Sequence, residues 1–244
     1  MADRSDPRTT AGALASSVGT HDIAFDAGLR SYMLSVYNYM ASGVLLTGIV
    51  ALLFAQSGEA AQILGGPGIL KYVIMLAPLA FVMVLSFGIT KLSTWTAQVL
   101  FWAFAAVMGL SLASIFLVYT GTLIATTFFA TASAFAGLSL WGYTTKRDLS
   151  AFGTFLVMGV VGLLVASLIN MFVQSTGLQL VISFIGVLLF AGLTAYDTQR
   201  IKSMYAQVAG SDMMAKTVIM GALSLYLDFI NMFLFLLRFM GNQR

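Results

Sequence analysis

Leu223-Ser224-Leu225-Tyr226-Leu227-Asp228-Phe229-Ile230-Asn231-Met232-Phe233-Leu234-Phe235-Leu236-Leu237-Arg238 decides the fold. Apart from Asp228 and the closing Arg238, this stretch holds no charge, and with its flanks it is long enough to cross a hydrocarbon core of ~30 Å. A single carboxylate in the middle of such a run costs several kcal/mol unless something compensates it. A second aspartate stands at the end of the preceding apolar run, in Leu193-Thr194-Ala195-Tyr196-Asp197-Thr198-Gln199-Arg200-Ile201-Lys202.

The rest of the chain has the same character. Of its 244 residues 59% are hydrophobic and only 9% charged, where soluble domains carry roughly 25% charged residues. Mean hydropathy is +0.94. The chain therefore reads as an all-α polytopic membrane protein, in contact with the lipid bilayer. Apolar runs of suitable length occur seven times, over residues 32–55, 72–90, 97–119, 122–144, 151–173, 178–197 and 217–240. Short breaks predict antiparallel neighbours in one bundle, residues 30–244, with the longest break at residues 198–216. Residues 1–29 are polar, lack the apolar centre of a signal peptide, and are expected to form a mobile tail.

Lys and Arg concentrate on the cytoplasmic side of membrane proteins. With the N-terminus cytoplasmic, that side holds Arg30, Lys91, Lys146, Arg147, Arg200, Lys202 and Lys216, against Lys71, Arg238 and Arg244 opposite. Seven against three favours this orientation, with the last run crossing fully; a re-entrant last segment is the alternative. The net charge of +3 reflects these loops and does not call for a nucleic-acid partner. Small residues in Met108-Gly109-Leu110-Ser111-Leu112-Ala113-Ser114 and Gly159-Val160-Val161-Gly162 read first as close helix packing. Tyr32, Trp95, Trp141, Tyr143 and Tyr205 are expected to anchor the interfaces.

Chemistry is narrowed by absence. Without Cys there is no thiolate metal site, and His21, the single histidine, lies in the tail. Neither a Ser-His-Asp set nor a phosphate-binding glycine loop with lysine is present, so no enzyme and no cofactor are expected. A two-aspartate protease is conceivable in principle, with nothing beyond the two carboxylates to support it.

The aspartates are expected to meet if the sixth helix continues past Asp197 to about Tyr205. Two adjacent carboxylates cannot both ionise cheaply and would share a proton. Protonated, the pair fastens two helices together; ionised, it repels and attracts a cation. Hard carboxylate oxygen suits Ca²⁺ or Mg²⁺ better than a soft metal, and two carboxylates with water and backbone carbonyls would bind Ca²⁺ weakly, as permeation requires. Plainer readings place Asp197 solvated beside Arg200 and Lys202, and Asp228 neutralised by Asn231 or a basic residue. Lys91 is a candidate latch for either aspartate, or simply snorkels to the interface. Arg30 is read in the same two ways.

Five segments carry a resemblance: Arg30-Ser31-Tyr32-Met33 with Tyr37-Asn38-Tyr39-Met40, residues 108–116, Gly142-Tyr143-Thr144-Thr145-Lys146-Arg147-Asp148-Leu149, residues 193–202, and residues 223–238. Together they resemble the Bax inhibitor motif family in its bacterial form. The resemblance implies six helices wrapped around a central C-terminal one. It also implies a pH-sensitive calcium leak controlled by two aspartates, which map onto Asp197 and Asp228. Bacterial relatives include a membrane partner that modulates the FtsH protease, so a non-transporting regulator of a membrane protease or stress response is the alternative function. A proton-coupled transporter is disfavoured because no inverted repeat with paired broken helices is visible. Where some bacterial members have a basic run after the second helix, this chain has only Lys91.

Overall fold

A computed structural model describes residues 7–241, with side chains from Phe25 onward. Its elements are α1 (Pro7–Gln56), α2 (Glu59–Gly65), α3 (Leu70–Gly88), α4 (Thr94–Val118), α5 (Gly121–Thr144), α6 (Ser150–Val173), α7 (Thr176–Val208) and α8 (Met213–Gly241). Seven of these are long and apolar enough to cross a membrane, α1 through its portion Phe25–Gln56. The expected mobile tail, residues 1–29, falls mostly outside the described side chains, as does His21.

The central helix is α8. It packs on α7, α1, α5 and α4, while α3 reaches the bundle through α4 and α6 through α7. Its buried residues include Ile219, Ala222, Leu223, Leu225, Tyr226, Phe229, Met232 and Leu237, the i, i+3, i+4 and i+7 rows that cover most of a helix surface. The outward faces of α3 and α6 carry large exposed apolar side chains such as Leu79, Phe87, Phe155 and Phe172. A membrane helix requires lipid, not water, around such a face.

Helix starts follow local chemistry. Ser93, Thr120 and Ser175 cap α4, α5 and α7 by accepting the amides of Thr96, Leu123 and Leu178, each satisfying an orphan donor. Close packing is set by glycine. A Cβ on Gly142 would stand 2.9 Å from the Cα of Ala195 and closer still to its carbonyl oxygen, so α5 and α7 touch backbone to backbone there. A Cβ on Gly109 would meet the Thr47 carbonyl at 2.7 Å, in keeping with a packing role for the small residues of α4. Gly159 abuts Leu189, whereas Gly162 faces open space.

Two expectations are corrected. The break at residues 198–216 shrinks to residues 209–212, because α7 continues to Val208. Its polar residues lie to one side while Thr198, Ile201 and Tyr205 stay buried. Tyr32 and Tyr205 are not interfacial anchors. Tyr32 is 0% exposed and the two rings pack at 5.4 Å across the α1–α7 contact. Trp95 and Trp141 are exposed as expected. The short α2, unread in the sequence, fills the link between α1 and α3.

Seven of the basic residues gather at one end of the bundle. There Lys202 Nζ donates to the Tyr143 carbonyl at 2.8 Å, Gln199 Nε2 donates to the Arg147 carbonyl, and Lys216 Nζ reaches the Thr90 carbonyl at 3.5 Å. Gly28 lies against Tyr205 at the same end.

Candidate ion site at the aspartate pair

Both aspartates lie well inside the bundle. At 1.5 Å per residue, Asp197 stands roughly 16 Å along α7 from its end at Val208, and Asp228 roughly 22 Å along α8 from Met213. Gly221 packs on Ile201 and Gly186 on Phe235. In that antiparallel register the two carboxylates lie within about one turn of each other.

Asp228 is 5% exposed, and its Oδ2 has no hydrogen-bond partner. Among the described residues, the charged neighbour of Asp228 is Asp197, a like charge. Asp197 is half-buried and has Arg200 as its charged neighbour, one turn on toward the basic end. Buried polar atoms are nearly always satisfied, so an orphaned carboxylate oxygen beside a second carboxylate needs a purpose.

The other residues anticipated at the site lie elsewhere. Asn231 donates to the Leu227 carbonyl of its own helix at 2.8 Å, which leaves Asp228 without it. Lys91 is exposed in the turn after α3, and Arg30 is exposed where it lines a groove between α1 and α5. Among the described residues no three His, Cys, Asp or Glu side chains cluster as a metal site.

Around the pair are hydroxyls that the sequence reading passed over. Thr194 and Thr198 flank Asp197 on α7, and each donates to the carbonyl four residues earlier. Ser139 of α5 meets Thr198 at 3.1 Å. Two residues before Asp228, Tyr226 and Thr47 share a bond of 2.7 Å, and Thr47 also donates to the Ala105 carbonyl at 2.7 Å. Thr47 has one proton, so Tyr226 must be the donor to it. This bond joins α1, α4 and α8 on the face of α8 away from Asp228, because two residues along a helix differ by about 200°. The signal for the α7 hydroxyls in the sequence was spacing: Thr194 and Thr198, four apart, share a helix face.

The wider chain has clear relatives. Residues 29–244 match the family described as inhibitor of apoptosis-promoting Bax1. The chain belongs to the Bax inhibitor family. It is 48% identical to an uncharacterized protein of Rickettsia prowazekii over 221 residues, covering 90% of this chain and 93% of that one. It is also 48% identical to the inner membrane protein YbhL of Escherichia coli K12, covering 89% and 94% respectively. An uncharacterized membrane protein of Streptococcus pyogenes is 36% identical over 220 residues. The seven apolar helices and this membership make the chain a multi-pass membrane protein.

Proposed function

We propose that this member of the Bax inhibitor family is a pH-sensitive cation leak, with Ca²⁺ as cargo, and that the Asp197–Asp228 pair is its gate and ion path. The observation that carries this reading is the unpartnered Oδ2 of Asp228, buried in the central helix and facing another carboxylate instead of a cation. A residue kept only for packing would not be expected to retain a charge there.

The arrangement suits a closed state. An oxygen without accessible surface cannot exchange an ion with water, so passage requires α7 and α8 to separate locally. A proton on the pair removes the repulsion and lets the two helices stay packed; loss of that proton leaves two like charges in a poorly screened site. Their repulsion would open the contact, and their negative charge would then attract a divalent cation. Two carboxylates fall short of the 6–8 oxygens that Ca²⁺ takes, so water completes the shell and binding stays weak enough for release.

The orientation in this reading puts Arg30, Lys91, Lys146, Arg147, Arg200, Lys202 and Lys216 on the cytoplasmic side, with the N-terminus cytoplasmic. By similarity to YbhL, the location is the bacterial inner membrane. The function is passive and needs neither enzymatic chemistry nor a cofactor.

Calcium entry into dye-loaded proteoliposomes tests the transport reading. Entry above that of empty liposomes is expected, and none at any pH would contradict it.

A further inference from the structure

Between α1 and α5 the bundle is open. Each packs on α7 and α8 rather than on the other, leaving a groove of about 770 Å³ with Phe229 of α8 in its floor. Along α1 the wall runs from Arg30 through Tyr37 and Val44 to Leu45; along α5 it runs back from Phe128 through Ala136 to Tyr143. The helices are antiparallel, so Arg30 lies opposite Tyr143 at one end and Leu45 near Phe128 at the other. Fifteen residues of α1 make the groove roughly 22 Å long. Beyond Val44 and Phe128 it continues into a recess of about 280 Å³ lined by Gly121, Ile124 and Phe233.

A space of this size does not stay empty in a close-packed molecule. Nor does an apolar lining of this kind hold water, which needs several polar partners. The hydroxyl of Ser139, one of the few polar groups on the wall, is engaged by Thr198. Leu34, Leu45 and Leu140 at the rim are exposed, so the groove opens sideways into lipid.

Its charge is one-sided. Arg30 is the sole charged side chain of the lining among the described residues. At the same end Lys202 Nζ sits 4.8 Å over the Tyr143 ring while donating to the Tyr143 carbonyl. Asp26, one turn before Arg30 and exposed like it, is not part of the groove lining. Arg30 on the wall and Lys202, held against the wall residue Tyr143, thus place two basic groups at this end of the groove, and from there an apolar channel runs inward for the length of a hydrocarbon chain.

We infer that this groove holds one acyl chain of an anionic glycerophospholipid whose phosphate lies at Arg30 and Lys202. Acyl chain and headgroup are recognised together. A neutral lipid fills the groove without the charge contact, and free phosphate has the charge contact without the chain. Neither aspartate lines the groove, and its test does not depend on transport.

The test is native mass spectrometry of the detergent-purified full chain, offered equal amounts of phosphatidylglycerol and phosphatidylcholine with the same chains. The expected result is one retained lipid, with phosphatidylglycerol preferred. Arg30→Gln should reduce that preference roughly fivefold, as should Lys202→Gln, since a basic group near a membrane surface contributes about 1 kcal/mol of anionic-lipid attraction. Ala136→Trp places an indole in the groove from an exposed position of α5 and should abolish retention of either lipid, while a melting curve close to wild type shows that it folds. Equal retention of the two lipids by wild type would overturn the inference. So would retention unaffected by Ala136→Trp, displacement of the lipid by inorganic phosphate alone, or a dimer whose interface covers the groove.

Discussion

Replacing Gly142 with alanine probes how the bundle holds Asp197 in place. The added Cβ would stand 2.9 Å from the Cα of Ala195 and closer to its carbonyl oxygen. Backbone cannot turn aside as a side chain can, so α5 and α7 must move apart, by about 1 Å at this contact. Overpacking of this kind typically costs about 1–3 kcal/mol. The movement also strains two bonds that cross the same interface, Ser139 to Thr198 at 3.1 Å and Lys202 to the Tyr143 carbonyl at 2.8 Å. Each contributes about 0.5–1.5 kcal/mol net. Against this, alanine is better than glycine inside a helix by about 0.5–1 kcal/mol. With both bonds lost, the balance is a loss of about 1–5 kcal/mol for Gly142→Ala. Gly162→Ala is the control: nothing lies within 4 Å of its added Cβ, so only the helical gain applies. In purified protein followed by thermal unfolding, Gly142→Ala should melt several degrees below wild type, using roughly 2–4 °C per kcal/mol for a chain of this size. Gly162→Ala should melt at or above wild type. Equal melting of the two variants would refute the backbone contact between α5 and α7, and with it the placement of Asp197.

Three further outcomes are expected. Thr47→Val should destabilise more than Tyr226→Phe: the first strands the buried Tyr226 hydroxyl, at about 1–3 kcal/mol, whereas the second leaves Thr47 bonded to Ala105 and loses about 0.5–1.5 kcal/mol; chemical denaturation of both, with the opposite order as the refutation, decides this. The Ser150 hydroxyl, and after it the Ser150 amide that donates to Asp148 at the start of α6, hold the Asp148 carboxyl below the usual carboxylate range; its contribution is therefore full at neutral pH and lost on acidification through that lowered range, and Asp148→Ala at pH 7 should speed tryptic cleavage at the adjacent Lys146 and Arg147, with unchanged cleavage counting against this role. The chain has no Cys, so single cysteines introduced at Thr145 and Ser211 should label from the cytoplasmic side in spheroplast-derived vesicles, and those at Ser57 and Gln174 from the other; labelling of all four from one side would overturn the proposed orientation.

The seven spans were legible because each is an apolar run of membrane length, and their ends fall within a few residues of the helices observed except at the start of α1, which runs from Pro7, and the end of α7, which runs to Val208. The extent of α7 was less legible. Gln199, Arg200 and Lys202 resemble a loop in composition, yet Thr198, Ile201 and Tyr205 recur at helical spacing and are buried. The polar residues serve instead as fasteners, Gln199 and Lys202 tying α7 to the carbonyls of Arg147 and Tyr143. Tyr32 and Tyr205 misled for a related reason: an aromatic near a helix end suits an interface or a core equally, and only the α1–α7 contact decides. Asp228 stood out because a lone carboxylate in an apolar run needs a reason. That Asn231 turns back to its own helix depends on a rotamer that no sequence pattern specifies. The groove between α1 and α5 was invisible for the same reason, since it arises from two helices that fail to touch.

The central claim is that Asp197 and Asp228 act as one proton-operated gate. Its most direct test is the pH dependence of calcium entry into proteoliposomes from pH 5 to 8, wild type beside Asp197→Asn and Asp228→Asn. The account predicts entry that titrates in wild type and loses its titration in each single variant, because either substitution breaks the shared-proton pair. Unchanged, still pH-dependent entry through Asp228→Asn would contradict it.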